Sequence, residues 1–266
     1  MRLILTLIII FQSVTGLLGQ TDTVFNQLDE MGMKQGYWKK YYPNGKLMYK
    51  GFFKDNKPDG EMRRYYENGT LQAVITVLKY PDYVFTKLFY EDGEISAEGF
   101  FNGTLKDSTW KYYSFYSGTI ISEENYHNGT KNGIQKTYYQ TGKLSEEIEY
   151  KNDIKDGIWN QFFEDGTKKL EAHNRWNMAN GRYTFYHPNG VIYMLGNFAD
   201  NKKHGSWIFY DTDGKEKYRL HYDYGILDSE DEKMLIKQDQ EFFKMVDENI
   251  GKFEDPSIED FYRTPF

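Results

Sequence analysis

The sequence predicts an all-β protein: an elongated, single-layer antiparallel meander of eight β-hairpins, closed by a C-terminal capping α-helix. Three observations point there. A turn glycine recurs at Gly45, Gly69, Gly93, Gly118, Gly142, Gly166, Gly190 and Gly214, a period of 24 broken once by a single extra residue before Gly118. Aromatics make up 18% of the chain, with 24 Tyr and 19 Phe, a composition that suits half-buried strand surfaces. Six of the glycines follow Asn or Asp, the strongest short-range hairpin signal. Self-similarity at such a period marks a repeat array, whose length counts units rather than domains.

In chain order, Met1-Arg2 precedes the apolar run Leu3 to Phe11 and then small or weakly polar residues. That is the pattern of a secretory signal peptide, expected over 1–19 with cleavage near Gly19-Gln20. The apolar run is far shorter than the roughly 20 residues a spanning helix needs. With no cysteine in the chain, a lipid-modified N-terminal Cys and disulfides are both excluded, and an exported protein, periplasmic or extracellular, is expected. Residues 20–35 form a lead-in segment, and the repeat array follows over 36–227.

Aligned on the turn glycine, the units read GYWKKYYPNGKLMYKGFFK from Gly36, GEMRRYYENGTLQAVITVL from Gly60 and GRYTFYHPNGVIYMLGNF from Gly181, with five others alike. Turns such as Asn44-Gly45 and Asp213-Gly214 predict type I′ geometry, with positive φ at both residues. Each unit is then one hairpin, and polar junctions such as Asp55 to Gly60 lead into the next, giving sixteen strands. At about 4.8 Å per strand, such a sheet extends roughly 75 Å.

After each turn, apolar residues alternate, as at Leu47, Tyr49, Gly51 and Phe53, so one face of the second strand is apolar. The first strand is less regular. Trp38 and Tyr41 are an odd number of residues apart and share a face only through a bulge. Trp110, Trp159 and Trp207 repeat Trp38, while Tyr65, Phe89, Tyr138, Phe162, Tyr186 and Tyr210 repeat Tyr41, predicting aromatic ladders across neighbouring strands. In residues 228–266, Ser229-Glu230-Asp231-Glu232 forms a capping box and Leu235, Phe242, Val246 and Ile250 approach one helical stripe. A helix over about 230–250, ending at Gly251 and folded onto the last hairpins ahead of an acidic tail, is expected.

Charge narrows the function. Residues 228–266 carry 12 acidic against 5 basic side chains, whereas 20–227 carry 28 against 27. An array that is neutral overall offers no basic stripe for nucleic acid and disfavours membrane attachment. The five histidines, His127, His173, His187, His204 and His221, lack metal-ligand spacing, and His187 and His204 are read as solvated turn residues. Neighbouring acids in Glu123-Glu124 and Glu146-Glu147 point to opposite faces of a strand and are read as solvated edge charges. Nucleophile elbow, phosphate loop and dinucleotide fingerprint are all missing, so no enzyme, cofactor or metal is expected.

The repeated G-x-W-x-x-Y-Y-x-x-G followed by K-L resembles the bacterial variant of the MORN repeat, over roughly residues 36 to 222. The resemblance implies a hairpin array without catalytic positions, used for protein binding, as in relatives labelled antitoxins, or for lipid or membrane attachment. The export signal departs from a cytoplasmic antitoxin. Three Asn-Gly-Thr sequons, at Asn68, Asn102 and Asn128, contain the dipeptide that hairpin turns favour, and a bacterial resemblance gives them no glycan. The expected role is an exported scaffold for protein-protein interaction in the cell envelope, with carbohydrate binding by exposed aromatics, or membrane or phospholipid attachment, as the alternatives. Where both faces stay aromatic, at Tyr37, Trp38, Tyr41 and Tyr42, at least one side chain must meet solvent or a partner, which makes these four the candidate binding residues.

Overall fold

The computed structural model describes residues 23–79 and 82–227. The expected leader over 1–19 and the expected helix over about 230–250 lie outside the described residues. Eight hairpins follow one another: Lys34–Tyr41 with Leu47–Lys54, Lys57–Tyr65 with Leu71–Lys79, Tyr83–Phe89 with Ile95–Asn102, Leu105–Tyr113 with Ile120–His127, Gly133–Tyr138 with Leu144–Lys151, Ile154–Phe162 with Lys168–Arg175, Gly181–Tyr186 with Ile192–Ala199, and Lys202–Tyr210 with Glu216–Asp223. All belong to one antiparallel sheet, each strand pairing with the one before and the one after.

Four strands of two residues complete the described sheet. Gln27–Leu28 lines the start of the first hairpin, and Ile226–Leu227 lines the end of the last. Thr130–Lys131 and Met178–Ala179 open the fifth and seventh hairpins. The first main strand begins at Lys34, which pairs with Leu28, and its pairing within the hairpin begins at Gly36 with Phe53.

The turns correct the expected geometry. Within the first hairpin the Gly45 N–H donates to Tyr42 O at 2.9 Å and the Tyr42 N–H to Lys46 O at 2.8 Å. The loop is therefore Pro43-Asn44-Gly45, a type I turn followed by one left-handed residue, and of its residues Gly45 alone has positive φ, at 82°. One residue beyond the two-residue loop lets Asn44 keep negative φ, and its Oδ1 instead accepts the Lys46 N–H at 2.9 Å. Two-residue turns with positive φ at both positions follow the second strands of hairpins, at Asp55-Asn56, Asn128-Gly129, Asn152-Asp153, Trp176-Asn177, Asp200-Asn201 and Tyr224-Gly225. Four of these turns tie back to the preceding hairpin through a side chain. Asn56, Asp153, Asn177 and Asn201 accept on Oδ1 from the backbone N–H of Lys34, Lys131, Lys155 and Ala179.

The odd spacing of Trp38 and Tyr41 resolves without a shared face. Trp38 pairs with Gly51 and Lys40 with Tyr49, so Trp38 belongs to the inner, apolar face and Tyr41 to the outer one. Each hairpin does carry a register shift near its turn, but on the second strand, where Met48 is the extra residue between Leu47 and Tyr49 in the first hairpin.

The apolar alternation read from the second strands defines the buried face. Trp110, Trp159, Tyr183 and Trp207 occupy equivalent positions there and are all buried, together with Ala97, Leu170, Met194, Phe209 and Leu220. One core cluster runs from Ile148 to Tyr222 and a smaller one gathers Ala97, Trp110 and Tyr112. In the first two hairpins only Phe53 and Ala73 are buried apolar residues. A second row ties hairpins near their turns: the hydroxyls of Tyr42, Tyr66, Tyr90 and Tyr139 donate to the carbonyls of Tyr65, Phe89, Tyr113 and Phe162.

Candidate interaction face

The outer face carries an ordered row of side chains across all sixteen main strands. Cross-strand register links Lys39, Lys50, Arg63, Val74, Lys87, Glu98, Lys111 and Glu123 in sequence. It continues through Lys136, Glu147, Asn160, Glu171, Thr184, Leu195, Ile208 and Arg219. Because a repeat places equivalent residues directly opposite one another, sequence recurrence becomes a line of neighbours about 5 Å apart.

The chemistry of this row changes along the array. Its middle alternates in sign, with Lys87–Glu98 at 3.6 Å, Lys111–Glu123 at 3.9 Å and Lys136–Glu147 at 3.8 Å. Its far end is mostly uncharged. Its near end holds three cations in succession, Lys39, Lys50 and Arg63, an arrangement that directly opposed like charges make unfavourable.

Tyrosines that repeat Tyr41 flank the row and use its carboxylates. The Tyr113 hydroxyl donates to Glu98 Oε1 at 2.8 Å, Tyr138 to Glu123 Oε2 at 3.0 Å and Tyr186 to Glu171 Oε2 at 3.3 Å. Burial, then the adjoining carboxylate, pushes the Tyr113 and Tyr138 phenols up to about 12. Lys168 holds the Glu171 carboxyl below its ordinary range by donating to it. In the first two hairpins the matching tyrosines are Tyr41 and Tyr65, and Lys50 stands where the later hairpins place Glu98, Glu123 and Glu171.

Of the four aromatics singled out from the sequence, two face outward and are open. Tyr37 and Tyr41 are 51% and 54% exposed, and Tyr37 meets the exposed Phe52 edge-to-face at 5.1 Å. Trp38 is half-buried on the inner face, its indole N–H shared between Gln27 O and Gln35 O, both at 3.1 Å. Tyr42 is half-buried and donates its hydroxyl to Tyr65 O at 2.8 Å. The structure brings Tyr37 and Tyr41 together with Lys39 and Lys50, residues that single-position scanning missed. Their signal lay in comparing equivalent positions: 39, 63, 87, 111 and 136 are all basic.

Two other readings need correction. Glu124 and Glu146 are buried, whereas their neighbours Glu123 and Glu147 face outward. Glu146 Oε1 accepts from Trp159 Nε1 at 2.7 Å and Gln161 Nε2 at 2.9 Å, and Glu124 pairs with Lys131 at 3.1 Å while accepting from the Tyr126 hydroxyl at 2.5 Å. His187 is half-buried, its Nε2 3.2 Å from Tyr210 O in the place that tyrosines fill elsewhere, and His204 lies in a strand beside Asp223 at 3.5 Å. Among the described residues no group of three His, Asp or Glu side chains is placed to hold a metal ion.

Beneath the face, Lys106 is enclosed by rings. Its Nζ donates to the Tyr112 hydroxyl at 2.7 Å and lies 5.0–5.2 Å from the centroids of Trp110, Tyr112 and Tyr126. Burial pulls this ammonium down to about 8. Lys34 and Lys203 make the equivalent approach to Trp38 and Trp207, at 5.0 and 5.4 Å.

Four stretches of the chain, 34–55, 58–78, 131–152 and 179–200, match the family model of the MORN repeat variant. They correspond to the first, second, fifth and seventh hairpins. No curated protein matches. Among solved structures, the Photorhabdus luminescens Tc holotoxin pore is similar over 73% of this chain, at 14% identity and a TM-score of 0.20. The crystal structure of TcdB2-TccC3-TEV is similar over 73%, at 12% identity and a TM-score of 0.19. The chain spans 11% and 12% of those two chains.

Proposed function

We propose, from the four stretches that match the MORN repeat variant, that the chain is an exported, non-catalytic scaffold that mediates protein-protein interaction in the cell envelope. The observation that carries this reading is the outer row, held in register from Lys39 to Arg219 with aromatic and charged side chains open beside it. Such a face presents many spaced, rigid groups to a macromolecule. The acidic pairs weighed as catalytic are tied into ion pairs and hydrogen bonds. Burial of Trp110, Trp159 and Trp207 removes those three as sugar-stacking faces, while exposed Trp176, Tyr37 and Tyr41 keep the carbohydrate reading as the alternative.

The apolar N-terminal run supports export. Fractionation of cells producing the full chain is expected to place it outside the cytoplasm. Photo-crosslinkers at positions 41 and 87 are expected to capture a protein from the envelope fraction; recovery of none from either position would count against the scaffold, and a strong glycan-array signal would favour the alternative.

A further inference from the structure

We propose that the outer face of the first two hairpins is a docking site for an acidic segment of a partner polypeptide, whose carboxylates seat on Lys50 between Lys39 and Arg63. This deepens the scaffold reading and rests on it. The overall neutrality of the array conceals a segregation of charge. Residues 34–79 hold ten basic and four acidic side chains, a net of +6, whereas 83–223 hold 17 basic and 20 acidic, a net of −3.

The chain itself shows what fits the position. In the third, fourth and sixth hairpins the second strand places a carboxylate in the row, Glu98, Glu123 and Glu171, and each receives a phenol from the next hairpin. Two of these carboxylates also face a lysine across the hairpin, at Lys87 and Lys111. In the first hairpin the flanking cations Lys39 and Arg63 and the phenol of Tyr65 are all in place, but the centre is Lys50. Lys50 is exposed and makes no ion pair among the described residues. Lys39 lies over the Phe25 ring at 3.8 Å and Arg63 is held by Glu61 at 2.6 Å, so the two side cations are fixed while the middle one is open.

A carboxylate supplied in trans would complete the arrangement that later hairpins complete in cis, and it would relieve the repulsion along the row. The exposed rings of Tyr37 and Phe52 border the cations on one side and Tyr41 on the other, giving a narrow strip of mixed charge and aromatic surface. That shape suits a single extended segment better than a broad anionic plane such as a bilayer.

The test uses the full chain and three probes: a labelled Glu-rich synthetic peptide, the same peptide with every Glu replaced by Gln, and vesicles containing 30% phosphatidylglycerol. The Glu peptide is expected to bind at least tenfold more tightly than the Gln peptide at low salt. Lys50→Glu, which installs the carboxylate in cis, is expected to weaken that binding tenfold or more while leaving the melting temperature unchanged or higher. Lys215→Glu, an exposed turn position in the last hairpin, controls for net charge and is expected to leave binding within twofold.

Equal binding of both peptides, or equal loss in Lys50→Glu and Lys215→Glu, overturns the site. Vesicle binding lost in Lys50→Glu, without a preference for the Glu peptide, also overturns it in favour of lipid. If envelope partners still crosslink to the array in Lys50→Glu at wild-type levels, this site is wrong and the scaffold stands; if no partner crosslinks in wild type, the scaffold reading itself fails.

Discussion

Gly196 lies directly against the indole of Trp207, so that a methyl group on its α-carbon would stand 2.2 Å from the ring. Gly99 meets Trp110 in the same way at 2.3 Å. Neither glycine has positive φ, so the requirement is for space alone. Gly196→Ala and Gly99→Ala are each expected to destabilise the fold by about 1–3 kcal/mol through forced displacement of a buried ring. Gly51→Ala, whose methyl would stand 3.1 Å from Met62 Cα and Cβ, a longer approach than at the two rings, is expected to cost less. Chemical denaturation of the three variants checks the order.

Where the sixth hairpin departs from this pattern, its tryptophan has turned. Ile148 pairs with Trp159 in the place of the glycine, and the indole N–H that elsewhere meets a backbone carbonyl, Phe100 O for Trp110 and Asn197 O for Trp207, meets Glu146. Trp159→Phe leaves a buried carboxylate short of a donor and is expected to cost about 2–3 kcal/mol. Combining it with Glu146→Gln removes the buried charge while keeping an amide oxygen for Gln161 Nε2, and the double variant is expected to recover part of that loss. A double-mutant cycle by thermal melting measures the coupling.

Alkaline pH is expected to pass through a stability maximum near pH 9 to 10. Lys106 titrates at about 8 in the folded chain against an ordinary 10.5, so between those values the unfolded chain holds more protons and stability rises with pH. Tyr113 and Tyr138 titrate at about 12 against 10.0, so above 10 the folded chain holds protons the unfolded one has lost, and stability falls. Denaturation midpoints between pH 7 and 11 report both limbs, and Lys106→Met is expected to abolish the rising one.

Protection from amide exchange is expected to be uneven along the array. The main core cluster spans Ile148 to Tyr222, whereas the first two hairpins bury only Phe53 and Ala73 among apolar side chains. Strand amides of 34–79 are therefore expected to exchange well before those of 157–222 under native conditions, because local opening there exposes less apolar surface. Hydrogen exchange read by mass spectrometry resolves the two segments.

Much of this was legible from residue order. The spacing of Gly45 to Gly214 places every hairpin, and the alternation at Tyr49, Gly51 and Phe53 marks the inner face, whereas the bulge at Met48 takes Leu47 out of it to pair with outward Tyr41. Turn type was misassigned because Asn-Gly occurs in both two-residue and three-residue loops, and only the closing pair Tyr42 and Lys46 separates them. The exposure of the four candidate aromatics was only partly legible. Tyr37 and Tyr41 are open, but Tyr42 donates its hydroxyl to a carbonyl 23 residues away, a partner that no local pattern names.

By itself the sequence determined the repeat, the hairpin count and the inner face, because turn residues and period-two alternation act over a few neighbouring residues and need no knowledge of the rest. Tertiary structure alone decided which side chains stand in one line. Cross-strand register puts Lys39, Lys50 and Arg63 side by side and gives Glu98 and Glu123 to their lysines and tyrosines. The reason is that Coulomb and hydrogen-bond energies depend on distance in space, and pairing of strands brings residues more than ten positions apart to within about 5 Å.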